Sequence, residues 1–143
     1  MNAALKTILL VEDNEDNRII YAAALRHAGY QVLEAISGPD GIRQTRELKP
    51  DLVLMDISIP EIDGWEATSL LKADAATRHV PIVAVTAHAL PEDEERCQRA
   101  GCDGYLAKPI TPANLVAEVD RRLGVTGSTY ARFRTPGSQP ATD

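Results

Sequence analysis

The sequence has few aromatic residues, few cysteines and no long hydrophobic run. Aromatic side chains make up 4% of its 143 residues, and the two cysteines are Cys97 and Cys102. No segment approaches the ~20 apolar residues of a membrane-spanning helix, and the amino terminus lacks the pattern of a signal peptide. The cysteines form no Cys-x-x-Cys pair and have no histidine at ligand spacing, which argues against zinc. We therefore expect a cytoplasmic protein with reduced thiols and no membrane insertion.

Positive charge is also scarce. The chain has 15 lysines and arginines against 21 aspartates and glutamates, which gives a net charge of −6. An acidic surface repels the phosphates of nucleic acids, so we expect no nucleic-acid partner. Hydrophobic residues make up 44% of the chain and charged residues 25%, the balance of an ordinary folded domain. The length fits one domain.

Short apolar segments alternate with amphipathic segments along the chain. The apolar segments predict strands near 7–11, 30–35, 52–56, 82–86 and 104–107. Between and after them the pattern predicts five helices, near 15–28, from a Ser37 cap to about 48, at 65–73, from Pro91, and from Thr111-Pro112 to 123. Strict alternation is typical of an α/β fold, a doubly wound five-stranded parallel sheet with helices on both faces. We expect residues 1–123 to form the domain and residues 124–143 to form a flexible tail.

Polar side chains stand at the carboxyl ends of four predicted strands. They are Glu12 with Asp13, Asp56, Thr86 and Lys108. The carboxyl ends of parallel strands lie side by side, and ligands bind there. Two carboxylates about 4 Å apart repel by roughly 4 kcal/mol at an effective dielectric of 20, so three such groups either take up protons or bind a cation. The small number of protein oxygens favours Mg²⁺ over Ca²⁺.

This set of residues resembles the receiver domain of response regulators in two-component signalling, a CheY-like domain. The resemblance covers about residues 5–123. It is carried by Glu12-Asp13, by Asp56 followed by Ile59-Pro60-Glu61-Ile62-Asp63-Gly64, by Thr86-Ala87, and by Lys108-Pro109. It implies a flavodoxin-like sheet with the strand order 2-1-3-4-5. It also implies a stand-alone signalling switch rather than an enzyme.

The resemblance implies a metal site and a phosphoryl acceptor. Asp56 would accept a phosphoryl group from a histidine kinase or a histidine phosphotransfer protein. Mg²⁺ would be held by Glu12, Asp13, Asp56 and the main-chain carbonyl of Ser58. It would neutralise charge on the group in transfer.

The resemblance implies that the remaining residues bind the phosphoryl group and change conformation when it is present. Its oxygens would be contacted by Thr86, the Ala87 amide and Lys108. The Lys108–Pro109 peptide bond would be cis. Tyr105 would turn inward as Thr86 moves towards the phosphoryl group, and the shift would change the affinity for a downstream protein. The chain would be a monomer or a phosphorylation-dependent dimer.

Three alternatives remain open at this point. A haloacid-dehalogenase-like phosphatase also uses an aspartyl nucleophile, but it needs a second aspartate where Ser58 stands. A flavodoxin-like electron carrier needs a loop rich in serine, threonine and glycine after the first strand, whereas residues 12–16 are acidic. A receiver that is never phosphorylated would keep the fold without the chemistry.

Overall fold

Strands and helices alternate without exception in the computed structural model, which describes residues 5–87 and 90–124. The strands β1 to β5 are Thr7–Val11, Gln31–Ala35, Leu52–Asp56, Ile82–Thr86 and Gly104–Ala107. The helices α1 to α5 are Glu15–His27, Gly38–Leu48, Gly64–Ala73, Pro91–Ala100 and Pro112–Leu123. Apart from Gly124, the predicted tail lies outside the described residues. No helix in the described part of the chain is long and apolar enough to cross a membrane.

All five strands pair in parallel in the order β2-β1-β3-β4-β5. This confirms the doubly wound sheet and the order that the resemblance implies. The register places Leu10 beside Leu54 and Asp56 beside Val85, so the strands end at nearly the same level. The strand order reverses between β1 and β3, and a crevice opens at such a point above the carboxyl ends of the strands.

Local signals start four of the five helices with a side-chain cap. Asn14, Ser37, Asp63 and Thr111 each accept a hydrogen bond from a main-chain amide in the first turn of the helix that follows. A cap of this kind stabilises a helix by about 1 kcal/mol. α4 has no such side-chain cap, and it begins instead with Pro91 and three acidic residues in its first turn.

The core lies on both faces of the sheet because successive side chains of a strand point in opposite directions. Ile8 and Leu10 pack with residues of α1 and α5 on one face. Leu9 and Val11 pack with residues of α2 and α3 on the other face. Full burial of one such side chain contributes about 1.5–3 kcal/mol. Both faces are therefore anchored, and the strand ends that carry the polar residues are held in place.

Both cysteines lie where α4 ends. Cys97 accepts hydrogen bonds from the main-chain amides of Gly101 at 3.1 Å and Cys102 at 2.9 Å, and Gly101 has a φ of +93°. This is a Schellman cap, in which residues at the two cysteine positions usually make an apolar contact. Burial raises the pKa of both thiols, which keeps them protonated. Within the part of the chain that is described, neither cysteine belongs to a cluster of potential metal ligands.

A group of bonds centred on the Lys72–Asp103 salt bridge, here called the staple, joins the elements at the amino ends of the strands. The Lys72 ammonium donates to the main-chain oxygens of Arg78 and Val80 at 3.0 and 2.8 Å and to the Asp103 carboxylate at 2.9 Å. The Asp103 carboxylate also accepts from the Ile82 amide at 2.8 Å. The staple ties α3 to the starts of β4 and β5.

Three predicted boundaries differ from the structure by one residue. α3 begins at Gly64 rather than Trp65, directly after the Asp63 cap. β2 begins at Gln31 rather than Tyr30, because the Tyr30 amide donates to Leu25 in α1 and its hydroxyl donates to the Asp120 carboxylate on α5. Tyr30 therefore belongs to the packing between helices and not to the sheet. α1 ends at His27, and Ala28 is its cap.

Candidate functional site

The polar side chains predicted at the strand ends lie at one edge of the sheet. Asp56 is the last residue of β3 and Thr86 the last of β4, while Glu12 and Lys108 directly follow β1 and β5. Glu12 is 2% exposed, Asp56 4% and Thr86 4%. Buried polar groups of this kind require partners.

Lys108 provides a partner for both buried carboxylates. Its Nζ atom lies 3.1 Å from Oδ2 of Asp56 and 3.2 Å from Oε1 of Glu12. Burial alone would lower the pKa of Lys108, but the carboxylates of Asp56 and Glu12 raise it above its usual value. Lys108 is therefore charged, and its ammonium bridges the ends of β1 and β3.

The carboxylates of Glu12, Asp13 and Asp56 converge, with one oxygen from each lying within 4.8 Å of the others. Burial raises the pKa of Glu12 to about 7, and a hydrogen bond with Asp56 and the negative charge of Asp56 contribute to this rise. The Asn14 amide, which donates to Glu12 at 3.1 Å, and the Lys108 ammonium both oppose this rise. With Glu12 ionised, three negative charges and one positive charge leave −2, the charge that a divalent cation balances. A hard cation with oxygen ligands suits this cluster.

The loop after β3 is held close to the site. The Ser58 amide donates to Oδ1 of Asp56 at 3.0 Å, and the Gly64 amide donates to the Ile57 carbonyl at 3.0 Å. A Cβ atom at Gly64 would lie 2.7 Å from both the Asp56 carbonyl oxygen and the Ile57 Cα. Glycine is therefore needed where α3 begins, since any larger residue would displace the main chain of the strand end. Glu61, in the same loop, has a φ of +76°.

The remaining predicted residues lie on the β4–β5 side of the site. The Lys108 amide donates to the Thr86 carbonyl at 2.7 Å, which joins the two strand ends, and Ala87 is exposed beyond Thr86. The Lys108–Pro109 bond is cis, as the resemblance implies. Tyr105 is half-buried on β5 and packs against the cluster that contains Ala84.

Sequence reasoning missed two residues near the acidic cluster. Arg18 donates to the Glu12 carbonyl at 3.1 Å, and the ring of Tyr21 is buried near Lys108. Burial raises the pKa of Tyr21, the Lys108 charge opposes that rise, and the charges of Glu12 and Asp56 add to it. A sequence signal existed for Arg18, since it is the only lysine or arginine between Lys6 and Arg26.

Comparison with known proteins agrees with this geometry. The family model of the response regulator receiver domain matches residues 8–120. The chain belongs to the response regulator receiver family. This confirms the resemblance carried by the strand-end residues.

Individual relatives match nearly their whole length. The polar-differentiation response regulator DivK of Brucella abortus (strain 2308) is 40% identical over 119 residues, which cover 83% of this chain and 97% of that protein. The receiver domain of a sensor histidine kinase from Pseudomonas aeruginosa, solved with a magnesium ion coordinated in its active-site cleft, is 41% identical. Its TM-score is 0.78, with 85% of this chain and 99% of that chain covered. A putative response regulator from Chloroflexus aurantiacus is 31% identical at a TM-score of 0.80, with the same coverage.

Family membership makes this receiver a signalling domain whose function depends on phosphorylation. The haloacid-dehalogenase-like phosphatase and the flavodoxin-like electron carrier find no support in these matches. The acidic loop after β1, which argues against a flavin phosphate, is the loop that brings Glu12 and Asp13 to Asp56.

Proposed function

We propose that Asp56 is the phosphoryl acceptor of this receiver. The observation that carries the proposal is the placement of its carboxylate, which is 4% exposed and lies 3.1 Å from Nζ of Lys108. An Asp56 oxygen attacks the phosphorus of a phosphohistidine, the P–N bond breaks, and the histidine nitrogen keeps the electron pair and takes up a proton. The product is an aspartyl phosphate. The donor is a histidine kinase or a histidine phosphotransfer protein.

The acidic cluster fits a magnesium ion. The ligands would be Asp13, Asp56 and the main-chain carbonyl of Ser58, with Glu12 acting through water. When bound, the ion neutralises negative charge on the phosphoryl group and on the attacking carboxylate. The support is the net charge of the cluster and the raised pKa of Glu12, both of which a divalent cation relieves.

Lys108, Thr86 and the Ala87 amide bind the phosphoryl oxygens in this proposal. Lys108 already faces Asp56, and it exchanges a carboxylate oxygen for a phosphoryl oxygen as charge is transferred. Thr86 ends the strand that pairs with β3, and its hydroxyl donates to an oxygen of the new group.

A downstream protein recognises the phosphorylated state at the surface beside Tyr105. As Thr86 moves towards the phosphoryl group, the half-buried Tyr105 ring turns into the space beside it. This shifts the population between two packings of α4, β5 and α5. A downstream protein that binds one packing more tightly than the other therefore gains or loses affinity.

A cleft beside the site is suited to the phosphoryl donor. Its volume is about 510 Å³, and its lining includes Ile20, Tyr21, Lys108 and Ile110. Ile19 and Ile20 on α1 are 56% and 50% exposed, so this edge of the site offers an apolar surface. A donor protein seated there presents its phosphohistidine to Asp56. The same proposal places the chain in the cytoplasm, where ATP supplies such donors.

Intact-mass measurement after incubation with acetyl phosphate and Mg²⁺ tests the acceptor. Wild type should gain one phosphoryl group, and Asp56→Asn should gain none. Asp40→Asn, which changes an acid on α2, is the matched control and should be phosphorylated like wild type. Failure of wild type to gain mass, or stable phosphorylation of Asp56→Asn, would refute the assignment.

A further inference from the structure

We infer that Arg18 is a positioning residue that sets the affinity of the acidic cluster for its divalent cation. It does so by fixing the peptide plane between Glu12 and Asp13. The inference rests on the proposed function, because it gives Arg18 a part in the same site.

Arg18 reaches back from α1 to the end of β1. Its Nη1 donates to the main-chain oxygen of Glu12 at 3.1 Å, and its Nε donates to Oε1 of Glu34 at 3.2 Å. The Arg18 side chain is 18% exposed and that of Glu34 33%, so the two contacts are partly shielded from water. The Glu12 carbonyl belongs to the planar peptide unit that leads into Asp13. Its direction therefore determines where the Asp13 carboxylate leaves the strand.

Glu12 is held at four points, one of which is the Lys108 ammonium, 3.2 Å from its carboxylate. Its amide donates to the Ala35 carbonyl at 2.9 Å, its carboxylate accepts from the Asn14 amide at 3.1 Å, and its carbonyl accepts from Arg18. Two of these partners, at Ala35 and Asn14, are main-chain groups, and the other two, Arg18 and Lys108, are side chains. Lys108 contacts the carboxylate of Glu12, whereas Arg18 contacts its main-chain carbonyl. The orientation of this peptide unit therefore depends on the side chain at position 18.

Charge distinguishes this contact from an ordinary surface salt bridge. Residues 12–18 contain four carboxylates, and Arg18 is the only cation among them. A positive charge beside a cation site normally weakens cation binding. Here Glu34 pairs with the guanidinium and offsets part of its charge, since Arg26 shares the same carboxylate. Arg18 can therefore orient the Glu12 carbonyl at a reduced electrostatic cost to the bound cation.

The expected size of the effect follows from other metal sites. Loss of a group that orients a ligand typically lowers metal affinity 10–100-fold. Arg18 acts through the main chain and not on a ligand oxygen, so we expect the lower limit, about tenfold.

Arg26 provides a matched control. It pairs with the same Glu34 carboxylate at 2.9 Å, but its other hydrogen bond is to the Val32 carbonyl on β2. Arg18→Met and Arg26→Met therefore each remove one cation from Glu34, and Arg18→Met also removes the donor to Glu12. Mg²⁺ dissociation constants are measured by titration calorimetry on the full chain. Arg18→Met should bind about tenfold more weakly than wild type, and Arg26→Met should bind like wild type.

A second readout separates positioning from general stability. With acetyl phosphate as donor, Arg18→Met should need about tenfold more Mg²⁺ for half-maximal phosphorylation, while its rate at saturating Mg²⁺ should match wild type. A variant that is merely less stable would not shift the Mg²⁺ requirement alone. Should Arg18→Met not fold, Arg18→Lys and Arg26→Lys decide the question, because lysine keeps the charge but not the forked donor.

The outcomes that overturn the inference are distinct from those that overturn the proposed function. Equal Mg²⁺ affinities in the Arg18 and Arg26 variants, or tighter binding after loss of Arg18, would refute the role of Arg18 alone. A wild-type protein that binds no Mg²⁺ would refute the proposed function, and the inference with it.

Discussion

The raised pKa of Glu12 predicts that magnesium binding depends on pH. Burial and the neighbouring Asp56 raise this pKa to about 7 in the metal-free protein. About nine tenths of the molecules then carry the proton at pH 6, and about one tenth at pH 8. A divalent cation displaces that proton, since both neutralise the same carboxylate. The apparent Mg²⁺ affinity should therefore rise about tenfold between pH 6 and pH 8.

The raised pKa of Glu12 also determines the direction in which the stability of the folded protein changes with pH. The folded-state pKa of Glu12 lies above the ordinary value of 4.5, so the proton stabilises the folded protein. This contribution is complete below pH 4.5 and is lost as the pH rises through about 7. The cation replaces the proton, so Mg²⁺ should raise the melting temperature more at pH 8 than at pH 6.

Titration calorimetry in two buffers of different ionisation enthalpy measures both the affinity and the protons released. We expect about 0.9 proton per bound Mg²⁺ at pH 6 and about 0.1 at pH 8. Glu12→Gln, which has nearly the same shape but cannot ionise, should lose this pH dependence. Equal wild-type affinities at pH 6 and pH 8, or an unchanged slope in Glu12→Gln, would contradict the reasoning.

Two further predictions concern the residues that support Asp56. Lys108→Ala leaves two buried carboxylates without their ammonium, so without Mg²⁺ its free energy of unfolding should fall by about 3 kcal/mol. In urea unfolding, Mg²⁺ should raise the free energy of unfolding of this variant more than that of wild type. An equal increase in the two proteins would argue against the proposal that Lys108 and Mg²⁺ neutralise the same carboxylates. Gly64→Ala places a Cβ 2.7 Å from the Asp56 carbonyl oxygen, so the free energy of unfolding should fall by about 1–3 kcal/mol. Ser69→Ala, an exposed change on the same helix, should leave the free energy of unfolding unchanged. Equal free energies of unfolding for the two variants would contradict the close packing of Gly64 on the end of β3.

Sequence reasoning succeeded where a signal lies within a few residues. The caps at Ser37, Asp63 and Thr111 start helices as predicted. Buried strands such as Leu52–Asp56 appear as continuous apolar runs that end in a polar residue. The strand order came from the resemblance, since alternation alone does not determine it.

The contacts that sequence reasoning missed join residues whose pairing has no local pattern. The Arg18 guanidinium reaches the Glu12 carbonyl, and a main-chain acceptor has no residue type to mark it. Gly64 was identified only as part of the motif that carries the resemblance, whereas its importance comes from its packing on Ile57. Tyr30 had the character of a strand residue, but the distant Asp120 holds it among the helices. Each of these depends on tertiary structure.

The Lys72–Asp103 staple makes the two rims of the sheet unlike. The rim at the carboxyl ends carries uncompensated negative charge, whereas the rim with the staple is closed by bonds from one ammonium to three oxygens. Arg78 is exposed on the closed rim, in the segment that leads into β4. A fluorophore or surface tether attached there would sit at the far pole from Asp56. It could follow encounters with the phosphoryl donor at the opposite rim without obstructing them.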